Sequence, residues 1–317
     1  MRRLFSNTAK TLVAGLLCAV CMLALYAATR KPLQKSVKEL PAPRQPEKVL
    51  LGQDDKGEPV YYDLNPRVVP LGGGRYAFKW MGLKGQELTE IYSRPDAIDV
   101  VVEAALQKVE DGRHEFNYKV RVLRTSPRDL SGYYVQTFSP TAKAAPLFGV
   151  RITKGPTHNA VPKEFSFGRW FSFGLISDQR KVTPGQAIEL VILAADLPGV
   201  VECRANASIV RYSTASEELP DAFLDVIVRH DAWPRGYTIG PDERLAKMSL
   251  EGRLKYLVEH LPQMLELGWI ENQKVMDWYE ANLKAGKAAE VRARAEIDFK
   301  RNLITSEVLA LMTYLTR

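Results

Sequence analysis

The residue types that most often carry catalysis are sparse in this chain and do not form a recognisable site. Its histidines are His114, His158, His230 and His260, and no two of them have the spacing of a metal-ligand pair. His230 and Asp231 are adjacent, but neighbouring residues on a strand point to opposite faces of a sheet. A serine hydrolase of the common type would carry a G-x-S-x-G sequence, which this chain lacks. The sequence therefore predicts no catalytic site, no metal site and no cofactor.

Three short motifs resemble functional sites, and the residues around each of them favour a structural role. Residues 54–58 look like a fragment of a calcium loop but lack the remaining ligand positions. Residues 72–74 are a glycine triplet without the Lys-Ser/Thr that follows a phosphate loop. Cys18 and Cys21 form a C-x-x-C motif inside an apolar run, whereas a redox or zinc site needs polar, accessible surroundings. Cys203 is the remaining cysteine, so the rest of the chain cannot form an internal disulfide.

One aromatic cluster is the best candidate for an interaction surface. Its members are Phe165, Phe167, Trp170, Phe171 and Phe173. Exposed on a sheet, they would offer a face or an edge to a ligand or partner. Their alternating spacing, with Phe165 and Phe167 and then Phe171 and Phe173 inward, is more typical of the core between two packed sheets. Both interpretations stay open at this point.

Short strands separated by turn residues dominate residues 49–238. Residues 116–123 alternate, with Phe116, Tyr118, Val120 and Val122 on one face. Such strands, divided by Pro, Gly and Asn turns, are typical of an antiparallel sandwich or barrel, and we predict an Ig-like β-sandwich. The other expected strands are 59–62, 75–80, 98–106, 132–138, 148–152, 170–173, 187–193 and 222–228.

Residues 239–317 change to a helical pattern. Apolar residues recur at helical spacing in four short segments, with Gly268 and Gly286 as stops and Thr305 as the expected cap of the last helix. This predicts a small four-helix bundle. The residues that recur at helical spacing and are expected to face inward are Leu250, Leu254, Leu257, Val258, Leu261, Leu265, Val275, Trp278, Tyr279, Leu283, Val291, Ala295, Phe299, Val308, Leu311, Met312 and Leu315.

The N-terminus has the pattern of an export signal. Residues 12–28 are free of charge and follow Arg2, Arg3 and Lys10. As a helix, this run spans about 25 Å, near the lower limit for crossing a bilayer. Cleavage after residue 27 or 28 would place Leu25 or Tyr26 at position −3, where a small residue is preferred. A retained transmembrane anchor and a cleaved signal peptide both remain open. The expected membrane segment contains Leu12, Leu16, Leu17, Leu23 and Ala28.

The net charge of +7 comes from the N-terminal segment. Residues 1–48 carry nine basic and two acidic side chains, which is 9 − 2 = +7, so the rest of the chain is neutral overall. A nucleic-acid-binding protein needs a basic patch on its folded part, so we expect no nucleic-acid partner. Residues 30–48 contain four prolines and many charges, which predicts a semi-extended linker that holds the folded part away from the membrane.

Together these patterns predict a mainly β protein with α-helices. We divide the chain into a signal anchor or signal peptide (1–29), a Pro-rich basic linker (30–48), a short β-rich segment (49–94), a β-sandwich domain (95–238) and a helical domain (239–317).

Two segments resemble known families of exported bacterial proteins. Residues 116–138, with 182–186 and 197–200, resemble a β-sandwich module of uncharacterised exported proteins. The C-terminal part, with Gly268, Ile270, the helix after Gly286-Lys287 and the turn at Ile304-Thr305, resembles a FIMAH-type helical domain. The third helix departs from that family by having fewer alanines and more charge. The resemblance implies an extracytoplasmic accessory or interaction role and carries over no catalytic residue.

Three functional hypotheses follow. The first is a non-catalytic cell-envelope protein, a single-pass inner-membrane protein with extracytoplasmic domains and a protein partner; after cleavage it would be periplasmic or secreted. The second is a carbohydrate-binding or adhesion module, which would need exposed aromatics and would be disfavoured if Trp80, Trp170 and Trp233 were all buried. The third is an enzyme whose dispersed site would bring together at least two of His114, His158, His230, Asp178 and Asp231.

Overall fold

The computed structural model shows a mainly β protein whose C-terminal part is helical. It describes residues 31–33, 48–82, 84–109, 112–138, 161–165, 168–174, 182–207, 211–213, 219–224, 226–227 and 233–317. The strands of these residues are β1 (Lys48–Gln53), β2 (Pro59–Asp63), β3 (Arg67–Gly72), β4 (Arg75–Met81), β5 (Glu87–Ser93), β6 (Val100–Lys108), β7 (His114–Val122), β8 (Leu130–Gln136), β9 (Val161–Phe165), β10 (Gly168–Gly174), β11 (Ala187–Ala194), β12 (Leu197–Ala207), β13 (Arg211–Ser213) and β14 (Arg235–Asp242). The helices are α1 (Asp221–Leu224), α2 (Glu243–Ala246), α3 (Leu250–Glu266), α4 (Gln273–Lys284), α5 (Ala288–Lys300) and α6 (Ser306–Leu315).

Two antiparallel sheets, here called the paired sheets, pack face to face. Their strand orders are β14-β12-β8-β10-β9 and β11-β7-β6. The alternation expected for β7 is confirmed, because Phe116, Tyr118, Val120 and Val122 are all buried. Tyr118 reaches across the core and donates a hydrogen bond from its hydroxyl to the Ile239 carbonyl at 3.0 Å. Apolar side chains from both sheets thus share one interior, as the period-2 pattern requires.

A separate sheet, here called the N-terminal sheet, has the order β13-β5-β4-β3 and its own core. Helix α1 covers this sheet, and Phe223 stacks on Phe78 with ring centroids 4.6 Å apart. The strand expected at 222–228 is therefore wrong for its first residues. Pro220 precedes the helix, and Asp221 occupies its first turn, which favours a helix start. The expected strand 148–152 lies outside the described residues.

The four expected long helices are present as α3, α4, α5 and α6. Three details differ from the prediction. Leu250, expected on the apolar stripe of the first long helix, is 41% exposed in the first turn of α3. Phe299 is exposed on α5, and Asp298 takes the buried position. Thr305 occupies the N-cap position of α6, but its side chain makes no capping hydrogen bond.

The helices and the paired sheets share one hydrophobic core. Strand β14 extends to residue 242, past residue 239 where we expected the helical region to begin. Helix α6 packs against β6, β12 and β14. On α6, the buried Glu307 accepts a hydrogen bond at Oε1 from the Ala104 amide at 2.6 Å. The helix thereby covers an edge of the three-stranded sheet.

Candidate functional site

The predicted aromatic surface is part of the interior at the positions whose side chains can be placed. Trp170, Phe171 and Phe173 on β10 are each only 1% exposed. Phe171 and Phe173 belong to the core of the paired sheets, so the core interpretation is right for them. Phe165 ends β9, where its backbone pairs with Gly168, and Phe167 lies outside the described residues. The burial of the β10 aromatics corrects the hypothesis that they form an exposed contact surface.

The outer face of the five-stranded sheet carries a polar and aromatic layer. The Arg204 guanidinium lies 5.3 Å from the ring centroid of Trp170 and pairs with Glu202 at 2.6 Å. Beside them, Tyr134 packs against Trp233 at 4.9 Å. The Arg204 side chain is 7% exposed, so its charge is held by a carboxylate and an aromatic face rather than by water.

The three tryptophans whose exposure the carbohydrate-binding hypothesis requires are buried. Trp80, Trp170 and Trp233 are 1%, 1% and 4% exposed. A sugar platform needs aromatic rings that lie open to solvent, and these three rings do not provide one. Their burial disfavours the carbohydrate-binding hypothesis.

The histidines that the structure describes are engaged in packing. His114 is buried at the start of β7, its Nδ1 lies 3.0 Å from the Asp196 carbonyl oxygen, and its ring meets Tyr314 edge-on at 4.8 Å. Burial is the main cause that lowers the His114 pKa below the usual value. His260 Nδ1 lies 2.8 Å from the Tyr256 carbonyl, one helical turn away. His158 and His230, with Asp178 and Asp231, lie outside the described residues.

Buried ionisable groups in the described ranges have structural partners. Asp298 accepts hydrogen bonds from Tyr279 at 3.1 Å and from Arg294 at 2.8 Å. Arg94 and Asp96 form a buried ion pair at the junction between the N-terminal sheet and the paired sheets. Across the described segments, no three His, Cys, Asp or Glu side chains come together as a metal site.

Cys203 is buried between the paired sheets. Burial raises the pKa of its thiol to about 12, so the thiolate form that would be needed for nucleophilic chemistry is disfavoured. Asn206, which begins a glycosylation sequon, is also buried in β12. Neither residue offers an accessible chemical group in this fold.

Exposed apolar side chains occur at Leu50, Tyr237, Met248 and Leu250, and two further pairs mark surfaces of their own. The first is the edge of the N-terminal sheet at β3, here called the β3 edge, where Val69 and Leu71 are 37% and 44% exposed. Among the described strands, none pairs with the outer side of β3. The second lies at the last turn of α5, where Ile297 and Phe299 are 46% and 36% exposed beside the exposed Lys300.

The sequence reasoning missed both surfaces. The run 297–301, which alternates apolar and charged residues, was a usable signal, because such a stretch cannot bury all its apolar groups on one helix face. The β3 edge has a weaker signal in Pro70, which cannot donate a ladder hydrogen bond and is tolerated at edges.

The chain segment 31–33 is docked on the folded body. Lys31 Nζ donates to the Glu266 carbonyl at 2.6 Å, and the Leu33 amide donates to the Val100 carbonyl at 3.0 Å. Leu33 is 7% exposed and belongs to the shared core. The expectation that 30–48 is a semi-extended linker, which buries no core and holds the folded part away from the membrane, is therefore wrong at Leu33.

The membrane residues Leu12, Leu16, Leu17, Leu23 and Ala28 lie outside the described residues. Within the described ranges, no helix combines the length and the hydropathy that a bilayer crossing requires. Comparison of the whole chain with known proteins found no matching family model, no matching curated protein and no matching solved structure.

Proposed function

We propose that this chain is a non-catalytic, membrane-tethered module of the bacterial cell envelope, with its folded part on the extracytoplasmic side. The observation that carries the proposal is the uncharged run 12–28 behind Arg2, Arg3 and Lys10. Basic residues also follow the run at Arg30, Lys31, Lys35 and Lys38, so the positive-inside rule gives only a weak signal for the side of the membrane. The engaged state of His114, Cys203 and Asp298 supports a non-catalytic role, since each is used in packing or hydrogen bonding.

The finer fold assignment belongs to the same proposal. The paired sheets are an Ig-like sandwich, which the two-sheet core and the antiparallel order support. Helices α3 to α6 are a FIMAH-type domain, which their number and the turns at Gly268 and Gly286 support. Run 12–28 is the N-terminal membrane helix.

The β3 edge is the proposed contact for a protein partner in the envelope. Exposed aliphatic residues on an edge strand favour pairing with another chain, and Val69 and Leu71 lie on a strand whose outer side no other described strand pairs with. The adjacent Arg67 and Lys79 both pair with Glu87 and provide a polar rim. With Trp170, Phe171 and Phe173 buried, this edge replaces the aromatic cluster as the candidate.

Membrane retention and intact mass test the tether. The full chain is expressed in a Gram-negative host, the membranes are washed with alkaline carbonate, and the mass of the retained protein is measured. The proposal predicts the uncleaved mass in the washed membrane. A matched variant, Leu17→Arg with Leu23→Arg, should lose retention because each buried charge opposes insertion by about 2.5–3.5 kcal/mol.

The run 12–28 is short for a bilayer span, and this favours cleavage of the N-terminal segment as the competing outcome. If the mass drops by the N-terminal segment and the protein is soluble outside the cytoplasm, the chain is a free exported module and the tether is wrong. If the wild type washes off as the full-length chain, the run is neither an anchor nor a signal.

A further inference from the structure

The point at which the N-terminal segment joins the folded body is fixed by the contacts of Lys31 and Leu33. Lys31 contacts the carbonyl of Glu266, the last residue of α3. Leu33 pairs with the backbone of Val100 and packs so closely on Gly236 that a Cβ there would collide with it. The chain therefore leaves the body at the C-terminal end of α3.

Chain geometry limits how far the apolar run can lie from this point. Three peptide steps separate residue 28 from Lys31, and they span at most about 11 Å when fully extended. The polar headgroup layer of one leaflet is roughly 5–8 Å thick. A body joined to a bilayer through so short a segment lies at the headgroups.

The end of the bundle near Lys31 is formed by two connected turns. The α3–α4 and α5–α6 turns are joined by the bridge between Ile270 and Ile304, and the Glu271 amide donates to the Leu303 carbonyl at 2.9 Å. Because consecutive helices pack in antiparallel order, the last turn of α5 lies at the same end. We call this surface the bundle end.

The exposed residues of the bundle end mix basic and apolar side chains. Ile297 and Phe299 are exposed on the last turn of α5 beside Lys300 and Arg301. The exposed basic side chains of this end are Lys31, Lys274, Lys300 and Arg301, and the exposed acidic ones are Glu266, Glu271 and Asp277. Basic groups near an apolar and aromatic surface suit an anionic bilayer interface, where the rings enter the headgroup layer.

We propose that the bundle end is a membrane-contact surface whose partner is the headgroup layer of anionic phospholipids. This inference rests on the proposed tether, and it adds the orientation of the body: the bundle end faces the lipid, while the α4–α5 turn points away from it. The docked Lys31 and Leu33 place the bundle end beside the anchor.

Two labels at the ends of one helix test the orientation. Gln273→Cys lies in the first turn of α4 at the bundle end, and Ala285→Cys lies just beyond its last turn; both sites are exposed, and about 18 Å of helix separates them. Cys18 and Cys21 are replaced by Ala, and Cys203 is buried. The full chain, carrying one environment-insensitive fluorophore, is placed in phosphatidylglycerol-containing nanodiscs with a headgroup-attached quencher.

The proposal predicts clearly more quenching at position 273 than at position 285, because the helix places the second label about 18 Å further from the headgroups. Equal quenching, in a chain that carbonate does not extract, overturns the orientation and leaves the tether intact. Loss of the chain from the disc, as expected for the Leu17→Arg, Leu23→Arg control, overturns the tether itself.

Charge reversal tests the headgroup chemistry. Lys300→Glu with Arg301→Glu changes two exposed side chains and leaves the anchor intact, so the chain should stay in the disc. Quenching at position 273 should fall towards the value at position 285, because the bundle end would then repel the anionic surface. Unchanged quenching at position 273 would overturn the role of the anionic headgroups.

Discussion

Glu307 is a buried carboxylate used as a backbone acceptor. It is 1% exposed, and its Oε1 receives the Ala104 amide of β6 at 2.6 Å. Glu307→Ala leaves that amide without its acceptor, and we expect a loss of about 1–3 kcal/mol in the free energy of unfolding. Thermal unfolding of the full chain in mild detergent measures the change.

Glu307→Gln is the matched control, because the amide oxygen can still accept from Ala104. It should lose less stability than Glu307→Ala. An equal loss in both variants would mean that the charge of Glu307, rather than the hydrogen bond, matters.

His114 gives stability a defined pH dependence. Burial lowers the pKa of His114 in the folded state, with the nearby cations Lys108 and Arg317 acting in the same direction. The unfolded state therefore binds more protons, so stability is full above the unfolded value of about 6.5 and falls as the pH drops through it. The melting temperature should decrease from about pH 7 to about pH 5.

Substitutions at the two described histidines test whether His114 causes this pH dependence of stability. His114→Asn keeps a donor towards the Asp196 carbonyl and should weaken this pH dependence. His260→Asn should leave it in place, because this substitution changes neither His114 nor its contact with the Asp196 carbonyl. The explanation fails if both variants keep the full dependence.

At the scale of elements, the two caps of the helical bundle differ in a testable way. Asn272 accepts the Val275 amide at its side-chain oxygen at 3.1 Å, so Asn272→Ala should cost about 1 kcal/mol. Thr305 makes no such bond, and its buried hydroxyl has no hydrogen-bond partner among the described residues. Thr305→Val should therefore be neutral or stabilising by up to about 1 kcal/mol.

Chemical unfolding of both variants compares these helix caps. Equal destabilisation by Asn272→Ala and Thr305→Val would contradict the assignment. A stabilised Thr305→Val variant would show that the unpartnered hydroxyl costs free energy in the folded protein.

Local sequence patterns predicted those strands and helices whose structure depends mainly on their own residues. The alternation of 116–123 and the helical spacing of 250–315 identified β7 and the four long helices. Helix α1 was not predicted from the sequence. It depends on the long-range packing of Phe223 on Phe78, whereas the β-branched residues that follow it are typical of a strand. Strand β14 was missed because Gly236 and Gly240 resemble turn residues, whereas they permit close approach of Leu33 and Val201.

The candidate surfaces were harder to predict than the elements. Helical spacing of i, i+4, i+7 places Val291, Ala295 and Asp298 inward, which turns Phe299 outward. Asp298 can be buried there because Tyr279 and Arg294 donate hydrogen bonds to its carboxylate. No local sequence pattern predicts that pairing. The docking of Leu33 likewise depends on partners far away in sequence.

At the scale of the whole molecule, two cores predict two levels of stability. The N-terminal sheet has a core of its own around Phe223, whereas the paired sheets and helices α3 to α6 share one. Phe223→Ala should destabilise the N-terminal sheet by about 3–5 kcal/mol and speed hydrogen exchange in β3 to β5. Exchange in α3 to α6 should stay unchanged.

Leu257→Ala is the matched control in the shared core. It should speed exchange in the bundle and in the paired sheets together, because Leu257 is fully buried within that core. Equal acceleration of α3 to α6 by Phe223→Ala would contradict the division into two cores.

The side of the membrane on which the folded part lies tests the central claim most directly. Lys287→Cys places one exposed thiol in the α4–α5 turn, with Cys18 and Cys21 replaced by Ala and Cys203 buried. A membrane-impermeant maleimide is added to intact spheroplasts that express the full chain, and to lysed ones. A tethered extracytoplasmic module predicts equal labelling of residue 287 before and after lysis. Labelling only after lysis would place the folded part in the cytoplasm and contradict the account.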